Sequence, residues 1–332
     1  MAEDWLDRAY DQSLVSVIIP VHNQERFLRD CLQSVVDQDH KPLEIIIVDD
    51  GSTDGSGKII HEFQAILREG ISVRAFHQTR QGAQEARNNG CRIAQGEYFL
   101  FLDGDDFLDR HNLIGQVEEF KNNPDADVVY SDGQYLNDGF ECPTANGGRL
   151  SLGEPADLVA ALLSGLSVPC FSYLFRRQAV QRCGPWDPTI PINQDIEFVL
   201  RLATSGCRFR YAAGLSGFYR KHSVNTISEQ SKSLRGRTMQ GILEQAERRL
   251  KERGELSEAR IDAMIDNYRR IARQNYSTDI ECFERSLDAV HRLRPKYRPK
   301  KPRARLVAFV IGFRNYERAA AVLSHWRQKI RD

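Results

Sequence analysis

The sequence predicts an α/β fold: a mostly parallel sheet flanked by helices, followed by a helical C-terminal extension. Three observations point there. Strand-like and helix-like segments alternate up to about residue 130, the strands are almost wholly apolar, and the polar residues fall just past the strands' C-terminal ends. Apolar runs without polar alternation are strands buried on both faces, as in a sheet covered by helices. Strand–helix–strand order gives parallel strands joined by right-handed crossovers, and such sheets bind ligands at the carboxyl ends of the strands.

Residues 15–21 form the first apolar strand, closed by Pro20 and the polar pair His22-Asn23. Across 25–38 the pairs Phe27/Leu28, Cys31/Leu32 and Val35/Val36 recur at helical spacing, the stripe of an amphipathic helix. Residues 43–48 give a second buried strand, ended by Asp49-Asp50-Gly51-Ser52-Thr53-Asp54. Gly51 suits a positive φ in that turn, and Thr53 or Asp54 can cap the helix carrying Ile59, Ile60 and Phe63. A third strand (71–77), a third helix (83–94) and a fourth strand (98–102) follow. Between 123 and 148, Asp132-Gly, Asn137-Asp-Gly and Asn146-Gly-Gly read as loop or hairpin chemistry. Residues 234–293 read as two or three charged helices. Residues 292–305 then carry eight Lys or Arg and three prolines with no acid, an extended basic linker, before apolar stretches at 306–313 and 319–326.

The expected domains are a catalytic region at 1–230, divided into a nucleotide half (14–130) and an acceptor half (131–230), a helical extension at 231–293, and a basic linker with an amphipathic segment at 294–332. At 332 residues, 41% hydrophobic and 28% charged, the composition is that of a globular protein. The N-terminus has acids where a secretory leader carries lysines, and no run of about 20 apolar residues could span a bilayer. The seven cysteines are odd in number and include no CxxC, so neither a disulfide framework nor a zinc site is indicated. The expected setting is reducing and cytoplasmic.

The fourth strand runs straight into Asp103, Asp105 and Asp106. Clustered carboxylates repel and raise one another's pKa, a conflict that a hard divalent cation removes. Mg²⁺ or Mn²⁺ takes one or two carboxylates and leaves its other positions to water and phosphate oxygens. A carboxylate ending the second strand can accept the N3–H of uracil or a ribose hydroxyl. Neither GxGxxG nor GxxxxGK[ST] follows any strand, so the phosphates need the metal instead of a glycine-rich cradle.

Four segments, Val15-Ser-Val-Ile-Ile-Pro-Val-His-Asn23, Ile47-Val-Asp-Asp-Gly-Ser-Thr-Asp54, Gly82-Ala-Gln-Glu-Ala-Arg-Asn88 and Gly96-Glu-Tyr-Phe-Leu-Phe-Leu-Asp-Gly-Asp-Asp106, resemble family 2 glycosyltransferases in order and spacing. A fifth, from Gly184-Pro-Trp-Asp-Pro to Ile192-Asn-Gln-Asp-Ile-Glu-Phe-Val-Leu-Arg201, resembles the family's segment with the catalytic base. The resemblance covers roughly residues 14–228. It implies the GT-A fold and an inverting, metal-dependent transfer from a nucleoside diphosphate sugar, UDP- or dTDP-linked, to a carbohydrate or lipid-linked acceptor in bacterial polysaccharide or lipid-linked glycan synthesis. Pro20, His22, Asn23 and Glu25 would line the nucleoside pocket. Asp50, with Asp49 beside it, would contact the base. Gly82, Arg87 and Asn88 would lie near the diphosphate. Asp103-Gly104-Asp105 would be the Asp-x-Asp, with Asp105 and Asp103 on the metal and His222 able to join them. Asp195 would deprotonate the acceptor, with Glu197 as a substitute. Residues 164–177 would line or support the acceptor site. Two positions depart from the family: Gln194 precedes Asp195 where a Glu is usual, and Asp109-Arg110 stands where many members have a proline.

Three function classes follow: a glycosyltransferase; a catalytically inactive relative that binds nucleotide sugar or glycan, kept open by Gln194; and an adaptor working through the basic tail. Tyr297 is the one aromatic within that tail, a weak basis for nucleic-acid binding. The basic and apolar C-terminus instead suggests a peripheral contact with the inner face of the cell membrane, or packing on the catalytic region or on a second subunit. The oligomeric state is open.

Overall fold

The computed structural model describes residues 10–65, 68–136, 148–220 and 232–329, with side chains up to residue 323. The chain divides into two compact units. The first holds a nine-stranded sheet in the order β3-β2-β1-β4-β8-β6-β9-β5, with β7 paired to β6. Its first half is the predicted alternation: β1 (Asp11–Val21), α1 (Leu28–Val36), β2 (Leu43–Asp50), α2 (Ser56–Gln64), β3 (Ile71–Gln78), α3 (Ala83–Ile93) and β4 (Gly96–Phe101). β1, β2, β3 and β4 pair in parallel, so their carboxyl ends share one edge. The helical stripe predicted at 25–38 is the buried face of α1: Leu28, Cys31, Leu32, Val35 and Val36. This helix begins three residues later than the stripe, because residues 24–27 form a turn in which the Phe27 and Leu28 amides donate to the Gln24 carbonyl (3.0 and 2.9 Å).

The second half is mixed. β5 (Phe107–Leu108), α4 (Asn112–Asn122), β6 (Val128–Leu136) and β7 (Arg149–Leu150) precede β8 (Tyr173–Arg176), α6 (Arg177–Cys183), α7 (Gln194–Thr204) and β9 (Phe209–Arg220); a short α5 (Leu158–Leu163) belongs to the second unit. β8 runs antiparallel to both β4 and β6, and β6 runs parallel to β9. β6 corrects the loop expected at 123–148: Asp132-Gly133 lies inside a strand, at a register shift against β9. Gly133 serves a close approach instead of a turn, since a Cβ there would stand 2.9 Å from Pro169 Cδ. Asp132, 1% exposed, accepts at Oδ2 from the Tyr211 hydroxyl (2.8 Å) and Arg149 Nε (2.9 Å). The Asn137 and Asn146 turns predicted from sequence lie outside the described residues.

The second unit comprises residues 157–166, 190–193 and 225–332. Its helices are α5, α8 (Lys232–Glu252), α9 (Glu258–Asn275), α10 (Ile280–Leu293), α11 (Pro302–Ile311) and α12 (Phe313–Lys329). Three charged helices thus occupy the region expected to hold two or three. The basic segment between α10 and α11 is pinned rather than a free linker: Arg294 pairs with Glu258 and Asp262, Lys300 with Asp262 and Asp266, and Tyr297 is buried with its hydroxyl 2.8 Å from Arg269. Glu317 of α12, fully buried, answers both Arg269 and Arg273 of α9. No described helix is long and apolar enough to cross a membrane.

Candidate active site

The ends of β1 and β2 are laced to each other. Asn23 turns the chain with φ +53, and its Oδ1 accepts from the Thr53 amide (2.8 Å) while its own amide donates to Ser52 Oγ (3.1 Å). The Glu25 carboxylate accepts from the Gly55 amide (3.0 Å), and Asp54 in turn accepts from the Glu25 and Ser56 amides (3.0 and 2.9 Å). Asp54 thus braces the turn before α2, whose N-cap position is Gly55 without a side-chain cap, and not Thr53 or Asp54 as predicted. His22 Nδ1 lies 2.8 Å from the Asp50 carbonyl oxygen, and Pro20 is buried in β1 opposite Val48.

Asp50 is 3% exposed. Its Oδ1 accepts from Gln78 Nε2 (2.8 Å) and the Gln81 amide (2.7 Å), and its Oδ2 from the Gly82 amide (2.8 Å). It therefore fixes the loop into α3, where Gly82 adopts φ +98, a conformation that glycine takes without strain. Asp49 accepts from the Ser52 amide (2.9 Å) and faces His77 Nδ1 at 3.0 Å. Burial alone would raise its pKa, but the Ser52 and His77 hydrogen bonds outweigh burial and hold it below the ordinary carboxylate range.

The end of β4 is more open. Asp103 and Asp105 are partly exposed, Gly104 is buried between them, and Asp106 is 3% exposed. Asp106 accepts from the Arg220 amide (2.9 Å); burial, then the charges of Asp105 and Asp103, push its pKa well up. The same burial and carboxylates raise the Cys31 thiol behind them. Arg87, on α3, joins this end to α7. One guanidinium nitrogen donates to Asp103 Oδ1 (2.5 Å) and another to Gln194 Oε1 (3.1 Å), while the group lies 4.5 Å from the centre of the Trp186 ring. Trp186 stacks on Phe198 of α7 (4.2 Å) and meets Phe101 of β4 edge-on (5.0 Å). Asn88 clamps the Trp186 backbone through two hydrogen bonds of 2.9 Å. Asp195, next to Gln194, has its pKa raised first by burial, with the Asp103 charge adding and Arg87 opposing.

Residues 16–184 match the family model for glycosyl transferase family 2. The chain belongs to that family. A glycosyltransferase of Streptococcus pneumoniae, GlyG, is 38% identical over 125 residues, covering 37% of this chain and 40% of that one. A putative teichuronic acid biosynthesis glycosyltransferase of Bacillus subtilis, TuaG, is 43% identical over 105 residues, covering 32% of this chain and 41% of TuaG. The chain thus spans well under half the length of either relative. Residues 1–349 of S. aureus TarS, solved with UDP-GlcNAc, share the fold with TM-score 0.56 at 17% identity, covering 85% of this chain and 91% of that one. The mannosyltransferase PcManGT of Pyrobaculum calidifontis, solved with GDP-Man and Mn²⁺, gives 0.54 at 16%, covering 97% and 92%. The fold is GT-A, as the sequence predicts.

Within this family 2 chain, Pro20, His22, Asn23, Glu25, Asp49, Asp50, Gly82, Arg87, Asn88, Asp103, Gly104 and Asp105 all fall at the carboxyl edge of the parallel strands, in the loop into α3 or on α3 itself. His222 lies outside the described residues. Among the described residues no three His, Cys, Asp or Glu side chains converge to hold a metal by themselves. Asp103 and Asp105 offer two carboxylates at most, a donor set that suits a hard cation completing its shell with water and phosphate. Sequence reasoning placed Trp186 and Arg201 in the fifth segment but gave neither a role. Arg201 gathers the carbonyls of Cys183 (2.5 Å), Gly184 (2.9 Å) and Pro185 (2.7 Å) and holds both oxygens of Glu197 (2.9 and 3.1 Å). Glu197, 4% exposed, thus has both carboxylate oxygens engaged by Arg201. Arg201 closes the fifth segment, four residues after Glu197 on the same helix, and that spacing was the signal for the pair.

Proposed function

We propose that the chain is an inverting glycosyltransferase that moves a sugar from a nucleoside diphosphate donor, UDP- or dTDP-linked, to a hydroxyl of a carbohydrate or lipid-linked acceptor. The observation that carries this reading is the Arg87 bridge: one guanidinium ties the Asp103 end of β4 to Gln194, the neighbour of Asp195. The donor's diphosphate and the acceptor's base would then meet on a single positioned cation. Asp195, its pKa raised by burial, is suited to accept the proton of an incoming hydroxyl. With Glu197 held by Arg201, one carboxylate acts alone, which gives a single displacement and inversion. Gln194 accepts from Arg87 as a glutamate would, without adding a further negative charge beside the base, so its presence is compatible with activity.

Asp105 and Asp103 would hold Mg²⁺ or Mn²⁺. That ion would supply positive charge where the leaving diphosphate becomes more negative. Arg87 keeps Asp103 oriented, and Asp50 keeps the Gln81–Gly82 loop in place beside the nucleotide.

Nucleotide sugars are to be screened for thermal stabilisation and slow hydrolysis with and without Mn²⁺. A UDP- or dTDP-sugar should stabilise the protein only with the cation; equal affinity for UDP in both conditions, by calorimetry, would remove the metal assignment. Asp195→Asn should keep donor binding and lose at least about a hundredfold in transfer, the scale of a missing general base. Transfer by Asp195→Asn at the wild-type rate would place the base elsewhere, no transfer by the wild type with any donor would leave a binding relative, and a product anomer matching the donor's would exclude a single displacement.

A further inference from the structure

Helix α11 is built inside out. A helix on the surface of a water-soluble protein turns its bulky apolar side chains inward and its small or polar ones outward. In α11 the covered residue is Ala308, 9% exposed, while Leu306, Phe309 and Val310 stand 66, 76 and 72% exposed. These three lie at i, i+3 and i+4, one continuous ridge, flanked by the exposed Val307 and Ile311. α12, packed on α11, exposes Val322 and Leu323 in the same way. A contiguous apolar surface of this kind marks a contact site.

The charge beside it says which kind. No acid occurs between Asp288 and Glu317. The acids of α9 and α10 neutralise Arg294, Lys300 and Arg314, but Lys296, Arg298, Lys301 and Arg303 are exposed and have no acidic partner among the described residues. A second copy meeting this patch through a twofold axis would set these cations against themselves. An anionic bilayer surface answers both features, taking the apolar ridge among its headgroups and acyl chains and the cations at its phosphates.

We propose that the exposed ridge of α11, with the basic segment leading into it, docks the protein on an anionic lipid bilayer. The helix lies in the interface, since it is too short to cross. Such seating fits a lipid-linked acceptor, but it does not depend on the transfer reaction and is read without it.

The full-length protein is to be sedimented with vesicles of phosphatidylcholine alone, or of phosphatidylcholine with phosphatidylglycerol. Binding should be at least about tenfold tighter to the anionic vesicles and should weaken steeply with salt. Phe309→Ser with Val310→Ser should lower that affinity by about tenfold or more through lost apolar burial. Lys301→Gln with Arg303→Gln should lower it similarly and flatten the salt dependence. All four positions are solvent-facing, so the melting temperature and nucleotide affinity of these variants should match wild type, which separates loss of docking from loss of fold or of donor binding. No preference for anionic vesicles, or affinity untouched by both pairs of substitutions, overturns the proposal. So does a dimer in analytical ultracentrifugation that Phe309→Ser dissociates, which would make the ridge a protein interface.

Discussion

Strand β2 ends in Asp49 and Asp50 followed by a glycine; β4 runs into Asp103, Gly104, Asp105 and Asp106. Both lie at the same edge of the same parallel sheet, yet their carboxylates are used differently. At β2 the protein supplies the donors. Asp50 takes three hydrogen bonds and Asp49 is held by Ser52 and His77, whose hydrogen bonds outweigh burial and lower its pKa. At β4 the carboxylates crowd one another, and burial with mutual repulsion drives the pKa of Asp106 up. Asp50 and Asp49 fix a loop; at β4 the protein also supplies donors, Arg87 to Asp103 and the Arg220 amide to Asp106, but three carboxylates share that end. Two carboxylates stand at the end of β2 and three at the end of β4, and it is the more crowded end that the proposed function assigns to the metal.

Substitutions should split along that line. The largest effect is expected at Asp105→Asn: transfer should drop by at least about a hundredfold, the scale of losing a key electrostatic stabiliser, with the melting temperature changed by no more than about 2 °C. Asp50→Asn should show the reverse balance. An amide cannot accept from Gln78, Gln81 and Gly82 together, so a buried donor is left unmet at about 1–3 kcal/mol, visible as a lower denaturant midpoint. A β4 variant that unfolds, or a β2 variant that changes catalysis alone, would break the comparison.

Arg87→Gln tests the link between the two halves of the site. Arg87 offsets the upward push that burial and Asp103 exert on Asp195. Without it the Asp195 pKa rises further, and the base is lost at a higher pH. The acidic limb of the kcat/KM profile should move to higher pH. An unmoved limb would mean that Arg87 acts on the donor alone.

The strands, crossovers and strand-end residues of the nucleotide half were legible because each signal was local: apolar runs, helical stripes and clustered acids. What escaped was set by distant partners. Asp132-Gly133 reads as a turn, but Pro169, Tyr211 and Arg149 make it a strand interior. Glu197 reads as a free carboxylate two residues after Asp195, but Arg201 closes on it four residues later. The basic segment before α11 reads as a free linker because the acids that pin it, Asp262 and Asp266, lie on another helix. Asp50 is the subtlest case: its place at the edge was plain, but its three donors come from Gln78, Gln81 and Gly82, beyond an intervening helix.

The smallest expected effect is at Asp49, where the contrast between the ends becomes a matter of pH. Its folded pKa is depressed, so the stability it contributes is fully present above the unfolded value, about 3.9. That contribution is lost as pH falls from there through the folded pKa. Asp49→Asn should therefore cost about 1 kcal/mol at neutral pH and progressively less on acidification, the two melting curves converging once the wild-type carboxylate is protonated. The exposed His77 contributes only part of this, because Ser52 also holds the carboxylate; His77→Gln should retain more than half of the difference. A gap between wild type and Asp49→Asn that stayed constant down to pH about 2 would mean that shape, not charge, holds the end of β2. The two strand ends would then differ in packing alone.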